Sequence, residues 1–594
     1  MSRNDLINRF SAVVFTRFFQ KLGWIALSGL MIAIAIVTNQ MSPAQGALTL
    51  DGADMSAITA DASRVQACER PPEGSIARSP ANLVIRNGQP EVLFTLRQVN
   101  EGFNDPSGNA VVRRCYVYNG PNGSAIAPTI RIRPGDTLTL KVKNELPQIP
   151  GVSMPGMAPE NTTNIHYHGV NAAPRAPQDE AIKTEIRPLD TYTYRLKIPN
   201  DAPPGMNWFH PHVHMLSQDQ VLSGLSGALI VEGMSSSYPK VRKLPEQVFV
   251  LRDQTPRRDP DTVPDQSFKD ISINYVPIVT NPTSVPAIIK MRVNQSQFWR
   301  VANAAADSYM HLQVSYNGLP QNLEVVARDG IVLDNDNGSE KADATNRQSI
   351  LLPPGSRAEF IVPGPPSGTT GEFIALQYNS GIDDTTGDRN LRRTLATINV
   401  TSKKEPLDLA TIESSEFARF KPRDRFTNLS GYNGVPKRTF YFSQCLNQGD
   451  QPSAWLTPAQ LKYFPVCQDK ETPEFYITED GKTPRLYSPT DPDSVVVNKG
   501  AVEDWRIINL DAEAHAFHIH QLHFQVLSSP NNPQEVKTLR DTINVPGWNG
   551  QNSTPTFTNL RMDFRGDIAG TFLYHCHILE HEDKGMMAKI RVNG

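Results

Sequence analysis

The most informative stretch of this 594-residue chain is His575-Cys576-His577-Ile578-Leu579-Glu580-His581, followed by Met586. The residues just before it are aromatic, branched or apolar and follow a glycine, which predicts a β-strand. Side chains alternate between the two faces of a strand. We therefore expect His575 and His577 to face one way and Cys576 the other, so that one strand can serve two metal sites.

The residue types in this stretch suit copper. Two imidazoles and one thiolate in a plane, with a weak axial thioether, form the ligand set of blue electron-transfer copper sites. A buried free cysteine beside surface histidines is the alternative interpretation. His581 and Met586 make it the weaker one, because they supply the ligands that a metal bound to Cys576 would still lack.

The histidines of the chain are grouped in a way that chance does not explain. Random placement of the 13 histidines gives roughly 0.3 His-x-His pairs, but the sequence has five. On a strand, each pair presents two imidazoles to the same side. Four such segments would supply eight nitrogens, enough for a cluster of several metal ions. The five pairs are His166/His168, His210/His212, His212/His214, His518/His520 and His575/His577.

Parity along the strands sorts the candidates into two groups. His515 lies an odd number of residues before His518, so we expect it on the side of Cys576. The first group is His515, Cys576, His581 and Met586. The second group is His166, His168, His210, His212, His518, His520, His575 and His577. The histidines outside both groups are interpreted as packing or solvent-facing residues: His214, His311 and His523.

With these motifs the chain resembles the multicopper oxidases, in particular the bacterial three-domain laccase-like enzymes. The resemblance runs from about residue 75 to the C-terminus. Tyr167 and Ala516 stand where Trp and Pro are more usual, and neither change removes a ligand. The four copper-binding segments of the family are recognised in order: Asn-Ile-His166-Tyr-His168-Gly, Trp-Phe-His210-Pro-His212, His515-Ala-Phe-His518-Ile-His520 and the stretch from His575 to Met586.

The resemblance implies four copper ions, with dioxygen as the electron acceptor. The type 1 copper is expected on His515, Cys576 and His581, with Met586 as the axial ligand. The type 2 copper is expected on His166 and His518. The two type 3 coppers are expected on six ligands: His168, His210, His212, His520, His575 and His577.

Two acidic residues match the carboxylates with which members of this family handle protons. Reduction of dioxygen consumes protons, so a carboxylate near the cluster is needed. Glu582, directly after His581, and Asp179, downstream of the first segment, are the candidates. Solvated surface acids are the alternative interpretation for both.

A weak internal repeat divides the chain. Units that read as strand, turn and strand occur at residues 131–144, 291–303 and 496–509. They predict an all-β chain of three Greek-key β-sandwiches, which the family implies are cupredoxin-like domains at residues 75–240, 241–405 and 406–594. Ligand segments occur only in the first and third copies. We therefore expect the histidine cluster at their interface and the middle copy to be a spacer.

The N-terminus has the composition of an export signal. Basic residues precede an apolar run at residues 22–37, and small residues near 44–47 suit cleavage. We interpret residues 1–46 as a signal peptide, with an uncleaved membrane anchor as the alternative, and residues 47–74 as a polar linker. The exported protein is then expected in the periplasm or outside the cell.

Export permits disulfide bonds. With Cys576 assigned to copper, the other four cysteines allow three pairings, which sequence cannot resolve. Cys68–Cys115 and Cys445–Cys467 are favoured because each pair stays within one part of the chain. Free buried thiols remain the alternative.

Composition narrows the function. The net charge is −3, with 39% hydrophobic and 20% charged residues, which is typical of a soluble globular chain without a nucleic-acid partner. The expected reaction is oxidation of a small-molecule or metal-ion reductant by dioxygen, with phenols as the default donors. The 14 methionines are spread along the chain, which disfavours a specialised cuprous oxidase. That oxidase, a copper nitrite reductase and a non-enzymatic copper-binding protein are the alternatives, and the oligomeric state stays open.

One segment has no counterpart in the repeat. Residues 447–489 precede the third ligand segment and are expected to form a lid near the type 1 site. Residues 456–464 within it have a helix-like pattern. A plain surface insertion is the alternative.

Overall fold

The computed structural model describes residues 50–51, 64–104, 108, 110–121, 123–149, 158–254, 269–278, 285–333, 346–382, 389–402, 429–447, 456–468, 473–550 and 554–594. The predicted signal peptide or anchor at residues 1–46 lies outside these residues, as does most of the predicted linker. Within the described ranges, no helix is both long and apolar enough to cross a membrane.

Paired β-sheets follow one another along the chain, and the predicted all-β fold of three sandwiches is confirmed. The strands of the first sandwich are β1 (Leu50–Asp51), β2 (Asn82–Val84), β3 (Val92–Asn104), β4 (Ala110–Gly120), β5 (Gly123–Ile126), β6 (Thr129–Ile132), β7 (Thr137–Asn144), β8 (His166–His168), β9 (Thr191–Lys197), β10 (Gly205–His210) and β11 (Gly227–Val231). One sheet has the strand order β1-β2-β6-β11-β10-β8, and the other has the order β5-β4-β3-β7-β9.

The middle sandwich contains the strands β12 (Glu246–Gln254), β13 (Asp270–Ile273), β14 (Val276–Pro277), β15 (Ala287–Arg292), β16 (Gln297–Asn303), β17 (Met310–Tyr316), β18 (Leu319–Pro320), β19 (Leu323–Arg328), β20 (Ile331–Val332), β21 (Asn346–Arg347), β22 (Ile350–Leu352), β23 (Arg357–Val362), β24 (Gly371–Leu376), β25 (Tyr378–Asn379), β26 (Arg389–Asn390) and β27 (Arg393–Thr401). Its sheets run β14-β13-β12-β16-β23-β19-β20, with β21 beside β19, and β15-β27-β24-β17-β18, with β22 beside β17. β25 and β26 form a separate hairpin.

The third sandwich contains the strands β28 (Lys437–Gln444), β29 (Phe475–Glu479), β30 (Val495–Asn498), β31 (Val502–Asn509), β32 (His515–Ile519), β33 (Phe524–Ser528), β34 (Leu539–Arg540), β35 (Thr542–Val545), β36 (Thr556–Asp563), β37 (Gly570–Cys576) and β38 (Met587–Asn593). Its sheets have the orders β29-β28-β31-β36-β33-β34 and β30-β38-β37-β32-β35. The domain boundaries predicted near residues 240 and 405 fall between these groups of strands and stay predictions.

Helices are short throughout the described residues. Those that lie wholly within the described residues are α1 (Ser217–Leu222), α2 (Met234–Ser237), α3 (Pro458–Leu461) and α4 (Leu579–Asp583), and single turns of 3-10 helix occur at Pro239–Val241, Leu429–Gly431 and Pro533–Glu535. Residues 64–66 are also helical. α3 begins at a capping box formed by Thr457 and Gln460. It lies inside the stretch 456–464 that the sequence predicts to be helix-like.

An apolar layer between its sheets holds each sandwich together. In β7, the buried side chains of Leu138, Leu140 and Val142 alternate with more exposed neighbours, as a strand with one buried face requires. Burying one such side chain stabilises the fold by roughly 1.5–3 kcal/mol. In the third sandwich, Phe440 and Trp505 pack with ring centroids 4.7 Å apart. These cores make rigid supports for the strands that carry histidines.

Two strand pairs position the candidate ligands. β8 is an edge strand that pairs with β10 and places His166 opposite His210. β37 is an interior strand that pairs with β32 and places His518 opposite His575. Residues directly opposite each other in a sheet share a face, so each pair groups its imidazoles on one side.

Residues 64–74 are packed against the protein, although they lie in the stretch predicted to be a linker. Cys68 is bonded to Cys115 of β4, and both are buried. Arg70 donates to Asp270 of the middle sandwich at 2.6 Å. The polar composition of residues 64–74 predicted an exposed linker. The disulfide bond and the ion pair instead hold this segment against the first and middle sandwiches.

Both favoured disulfide bonds are present, Cys68–Cys115 and Cys445–Cys467. A disulfide bond restricts the unfolded chain, and the effect grows with the length of the loop that it closes. We expect the Cys68→Ser/Cys115→Ser variant, with a separation of 47 residues, to lose about 4 kcal/mol of unfolding free energy. For Cys445→Ser/Cys467→Ser, with a separation of 22 residues, we expect about 3 kcal/mol.

Denaturant and thermal unfolding of the metal-free variants measure the two losses of unfolding free energy, and the Cys68→Ser/Cys115→Ser variant is expected to lose more. Unchanged transitions in both double variants would contradict the expected contribution of these bonds.

Candidate metal centre

Eight histidines from the first and third sandwiches meet in one buried cluster. Three of the four segments that carry them lie on or directly after β8, β10 and β32, and the fourth surrounds the end of β37. Every ring is buried: His166, His168, His210, His212, His518, His520, His575 and His577. These are the eight residues that parity assigns to one group.

Within the cluster, one set of three imidazoles points its Nε2 atoms at a common point. The Nε2 atom of His575 lies 3.3 Å from Nε2 of His212 and 3.2 Å from Nε2 of His520. Nδ1 of His575 faces outwards and donates to the carbonyl oxygen of Cys576 at 2.9 Å. Three inward-facing nitrogens at these distances form a ligand set for one metal ion.

His168, His210 and His577 lie next to this set, with ring centroids 4.9 to 6.0 Å apart. Nδ1 of His168 lies 3.2 Å from Nε2 of His577. Nε2 of His210 is buried without a hydrogen-bond partner among the described residues, and its Nδ1 donates to the carbonyl oxygen of Pro211 at 2.9 Å. These contacts leave one nitrogen of each ring directed into the cluster.

His166 and His518 complete the cluster. The Nε2 atom of each ring is buried and lacks a partner in the described part of the chain. The outer nitrogens are held: Nδ1 of His166 lies 3.1 Å from a carboxylate oxygen of Asp179, and Nδ1 of His518 donates to the carbonyl oxygen of Asp541 at 2.8 Å. The inner nitrogens of both rings are therefore free to bind a metal ion.

The chemistry of the cluster fits bound metal ions. A buried polar atom without a hydrogen bond costs about 1–3 kcal/mol, and metal coordination removes that cost. Burial lowers the pKa of most cluster histidines well below the usual range and sets the pKa of His212 at about 4 and that of His577 at about 3. Neutral imidazoles keep the lone pair that a metal ion needs. Imidazole nitrogens in this number suit copper.

A second candidate site lies on the opposite face of β37. The Nδ1 atoms of His515 and His581 are 3.1 Å apart, and each is 3.7 Å from the Sγ atom of Cys576. Met586 is buried in the same apolar cluster as Cys576, and its backbone N–H donates to the carbonyl oxygen of His581 at 2.9 Å. All four residues of the other parity group thus lie together.

The thiol of Cys576 is adapted to be a thiolate. Burial would raise its pKa, but hydrogen bonds from His515 and His581 outweigh burial and lower the pKa to about 6. The thiolate is the form of cysteine that binds metals. Because Cys576 lies between His575 and His577 along the chain, its backbone joins the two sites by the shortest covalent route.

Glu582 is buried beside the cluster. One carboxylate oxygen lies 3.0 Å from Nδ1 of His575, and the other lies 3.6 Å from Nε2 of His212. Neither oxygen completes a hydrogen bond within the described residues. Burial would raise the pKa of Glu582, but the neighbouring histidines, His212 first, hold it below the usual range. The residue is therefore a carboxylate with free lone pairs at the edge of the cluster.

Asp179 occupies a different position. Its Oδ1 atom accepts the backbone N–H of Tyr167 at 2.9 Å and faces His166, and its Oδ2 atom accepts from Gln521 at 2.6 Å. Both oxygens are engaged and the side chain is fully buried. This arrangement orients His166 and links the first sandwich to the third.

The outer side of the second site carries two carboxylates that the sequence did not single out. Asp511 Oδ2 lies 3.6 Å from Nε2 of His515, and Glu513 Oε2 lies 3.4 Å from Nε2 of His581. Burial would raise the pKa of Glu513, but His581 lowers it to about 2. Both groups precede His515 by an even number of residues, and that spacing was the only available signal.

The middle sandwich reaches the cluster, so the prediction that it is a spacer is wrong. Gly355 lies against His577 and His168, and its carbonyl oxygen accepts from Nε1 of Trp208 at 3.2 Å. Arg357, two residues on, donates to both carboxylate oxygens of Asp541. The middle copy has no His-x-His segment, and backbone contact and ion pairing leave no metal-ligand pattern in a sequence, so this role was not predicted.

Gly355 leaves no space for a side chain beside His577. A Cβ atom at this position would lie 2.8 Å from Cδ2 and 2.9 Å from Nε2 of His577, and the backbone φ is +85°. We expect Gly355→Ala to displace His577, to lower the copper content of the cluster and to reduce turnover by about 100-fold, the scale of a 1 Å misplacement. Gly318→Ala is the control, because its φ is also positive and no atom lies within 4 Å of the added Cβ. Equal copper content in both variants would contradict the expected close approach.

The three remaining histidines lie outside both sites. His214 packs edge-on against Tyr487 with ring centroids 5.0 Å apart. His311 contacts Ser349 at 2.9 Å. His523 is buried, with Nε2 at 2.9 Å from the carbonyl oxygen of Asp329. Each of these contacts suits the packing roles expected from the sequence.

The described part of the segment 447–489 touches the second site. Phe475 stacks on His581 with ring centroids 3.9 Å apart. The backbone N–H of Cys445 donates to the carbonyl oxygen of Glu474 at 2.9 Å, and the N–H of Glu474, the neighbour of Phe475, donates to the disulfide sulfur of Cys445 at 3.3 Å. Phe475 belongs to β29 of the third sandwich, so this contact comes from the sheet itself, and the lid stays a prediction.

Three cupredoxin-like sandwiches, a buried cluster of eight histidines and a cysteine site joined to it by one strand define a multicopper oxidase. Two family models described as multicopper oxidase match residues 110–236 and 459–594. The chain belongs to the multicopper oxidase family, whose members are copper-dependent oxidoreductases that use dioxygen.

Named relatives and a solved structure agree with this family. The chain is 24% identical over 479 residues to "Multicopper oxidase mco" of Staphylococcus haemolyticus, covering 80% of this chain and 83% of the relative. It is 24% identical over 509 residues to "Laccase" of Bacillus subtilis, covering 79% and 88%. The structure of a multicopper oxidase from Campylobacter jejuni, described as a metallo-oxidase, matches with a TM-score of 0.59 and 24% identity, covering 88% of this chain and 96% of that one. The structural likeness supports the fold.

Proposed function

We propose that this enzyme takes single electrons from a small reductant at one copper and reduces dioxygen to water at a cluster of three coppers. The type 1 copper would be held by His515, Cys576, His581 and Met586. The type 2 copper would be held by His166 and His518. The type 3 pair would be held by two sets of three: His168, His210 and His577, and His212, His520 and His575.

The observation that carries this proposal is the position of Cys576. Its thiol joins the site of His515 and His581, and its neighbours His575 and His577 belong to two different sets of the cluster. Bound copper supplies one-electron chemistry at both places, and four ions together can store the four electrons that dioxygen requires. The chain supplies the fixed route between them.

Glu582 is the proposed proton carrier. It is buried between His575 and His212, with its carboxylate oxygens 3.0 and 3.6 Å from their ring nitrogens, so a proton can pass between it and the cluster. Asp179 is the second candidate. Its fully engaged oxygens suit it better to orienting His166 than to carrying protons.

Two classes of reductant are supported. The name of the Bacillus subtilis relative favours a laccase-like donor such as a phenol. The carboxylates of Asp511 and Glu513 beside the outer nitrogens of His515 and His581 favour a cation, and therefore a metal-ion donor, as the second candidate. Opposite charge close to the site raises the local concentration of a cationic donor.

Copper analysis together with oxygen uptake tests the proposal. Four coppers per chain and oxygen consumption with a phenolic donor are expected. Two coppers with turnover of nitrite would point to a nitrite reductase, and copper without turnover would point to a binding protein. Comparison of kcat/KM for phenols, bilirubin, Mn(II) and Cu(I) then ranks the reductants.

Export is part of the proposal. The basic residues and apolar run before residue 38 suit a secretory signal or an anchor, and the two disulfide bonds suit an oxidising compartment. Cell fractionation and the mass of the mature N-terminus test it. A reduced, full-length protein found only in the cytosol would contradict it.

A further inference from the structure

His168 differs from the other seven histidines of the cluster in the nitrogen that it directs inwards. Its Nδ1 atom faces Nε2 of His577 at 3.2 Å. The other seven direct Nε2 inwards, either towards another imidazole or without a partner among the described residues: His166, His210, His212, His518, His520, His575 and His577. His168 must therefore keep its proton on Nε2 to leave the lone pair of Nδ1 free.

A buried carboxylate meets that Nε2 atom. Asp541 Oδ1 lies 3.2 Å from Nε2 of His168, and both side chains are fully buried. The Oγ1 atom of Thr542 lies 3.3 Å from the same nitrogen. A carboxylate can only accept a hydrogen bond, so this contact fixes the proton on Nε2.

Asp541 is itself held by a residue of the middle sandwich. Nη1 of Arg357 donates to Oδ1 at 2.8 Å, and Nη2 donates to Oδ2 at 2.7 Å. Such a bidentate pair fixes the plane of the carboxylate. The guanidinium is held in turn by the carbonyl oxygens of Gly355 and Met206, at 3.1 and 3.2 Å. Arg357 is fully buried, so its contacts are not loosened by solvent.

We propose that Arg357 is a positioning residue of the copper cluster, which acts through Asp541 to direct Nδ1 of His168 at the type 3 site. The inference rests on the proposed function. It gives the middle sandwich a defined part in the copper chemistry, because that sandwich supplies the group that selects the tautomer of a ligand in the first sandwich. Partners of metal-binding histidines typically change metal affinity or activity by 10–100-fold when they are removed.

A purely structural role is the competing explanation, and the chain offers a matched control for it. Arg300, in the same sandwich, is equally buried and forms ion pairs with Glu246 and Glu359. In the described part of the chain its guanidinium contacts Glu246, Glu359 and the ring of Phe298, and none of these is a histidine of the cluster. Arg300→Gln therefore breaks a comparable buried ion pair without touching the arrangement around His168.

The experiment compares copper-loaded wild type, Arg357→Gln, Arg357→Lys and Arg300→Gln. We measure copper per chain, the absorption at about 600 nm given by the type 1 ligand set, and the EPR-silent fraction of the copper. A closely coupled copper(II) pair is EPR-silent, so that fraction reports the type 3 pair. Thermal unfolding of the metal-free proteins reports stability separately.

For Arg357→Gln we expect the type 1 absorption to be retained, copper binding at the pair to weaken by about 10–100-fold, and the EPR-silent fraction to fall. Arg357→Lys keeps the charge but not the bidentate geometry, so an intermediate EPR-silent fraction is expected. Arg300→Gln is expected to lose stability and to keep the wild-type copper distribution. If Arg357→Gln does not fold, Arg357→Lys decides by the same signals.

Two results would overturn the inference: a wild-type EPR-silent fraction in the folded Arg357 variants, or an equal loss in Arg300→Gln. A wild-type protein without EPR-silent copper would instead overturn the proposed function, and the inference with it.

Discussion

Replacing Cys576 with serine is expected to abolish the absorption at about 600 nm that a copper–thiolate site gives and to stop the oxidation of external donors. Serine has nearly the shape of cysteine but lacks the soft sulfur that stabilises a blue copper site. The sulfur is also the link between His515 and His581 on one face and the cluster on the other. We expect donor oxidation to fall more than about 100-fold, beyond the usual effect of removing a partner of a ligand.

The cluster of histidines should survive this substitution. None of its eight ligands is changed, so Cys576→Ser is expected to lose the type 1 copper and to keep the other three. Spectra, copper content and steady-state oxygen uptake measure these effects on one preparation. A variant that stays blue, or that oxidises donors at the wild-type rate, would show that Cys576 is not the electron route.

Replacing Glu582 with glutamine is expected to have the next largest effect. Glutamine keeps the size of the side chain but cannot take up and release a proton at neutral pH. Glu582 is the buried carboxylate 3.0 Å from Nδ1 of His575, and its oxygens complete no hydrogen bond within the described residues. We expect dioxygen reduction to slow by about 10²–10⁴-fold, the usual contribution of a positioned proton donor or acceptor, with all coppers and the type 1 absorption retained.

Stopped-flow mixing of the fully reduced enzyme with dioxygen isolates this step from donor oxidation. Asp583→Asn is the matched control, because Asp583 lies beside Glu582 on α4 and is partly buried. Its carboxylate accepts the backbone N–H of Gln218 at 2.8 Å, which an asparagine oxygen can also do. Slow reoxidation in Asp583→Asn together with normal reoxidation in Glu582→Gln would contradict the assignment of Glu582.

The sequence predicted the parts of the site that depend on local geometry. Alternation along a strand is a strong constraint, so the spacing of His575, Cys576 and His577 was enough to predict two sites on opposite faces. The same constraint placed His515 on the side of Cys576. The three-sandwich fold followed from repeated strand, turn and strand units.

The parts that depend on distant residues were not predicted. Arg357 and Asp541 are 184 residues apart, and a buried ion pair between different sandwiches leaves no periodic pattern. The backbone of Gly355 lies so close to the cluster that no side chain fits at this position. A single sequence does not distinguish such a glycine from one in an ordinary turn. The middle sandwich was therefore interpreted as a spacer.

Polar segments were a second source of error. Residues 64–74 have the composition of a linker, yet Cys68 and Arg70 hold this segment against the first and middle sandwiches. Polar composition predicts exposure only when partners are not available. The ion pair with Asp270 supplies a partner that lies 200 residues away.

Anomalous diffraction at the copper absorption edge, from crystals of the copper-loaded protein, tests the central claim most directly. We predict four peaks: three among the eight histidines of the cluster and one beside Cys576, His515 and His581. A single peak in the cluster, or a cluster without copper beside an occupied cysteine site, would contradict the account.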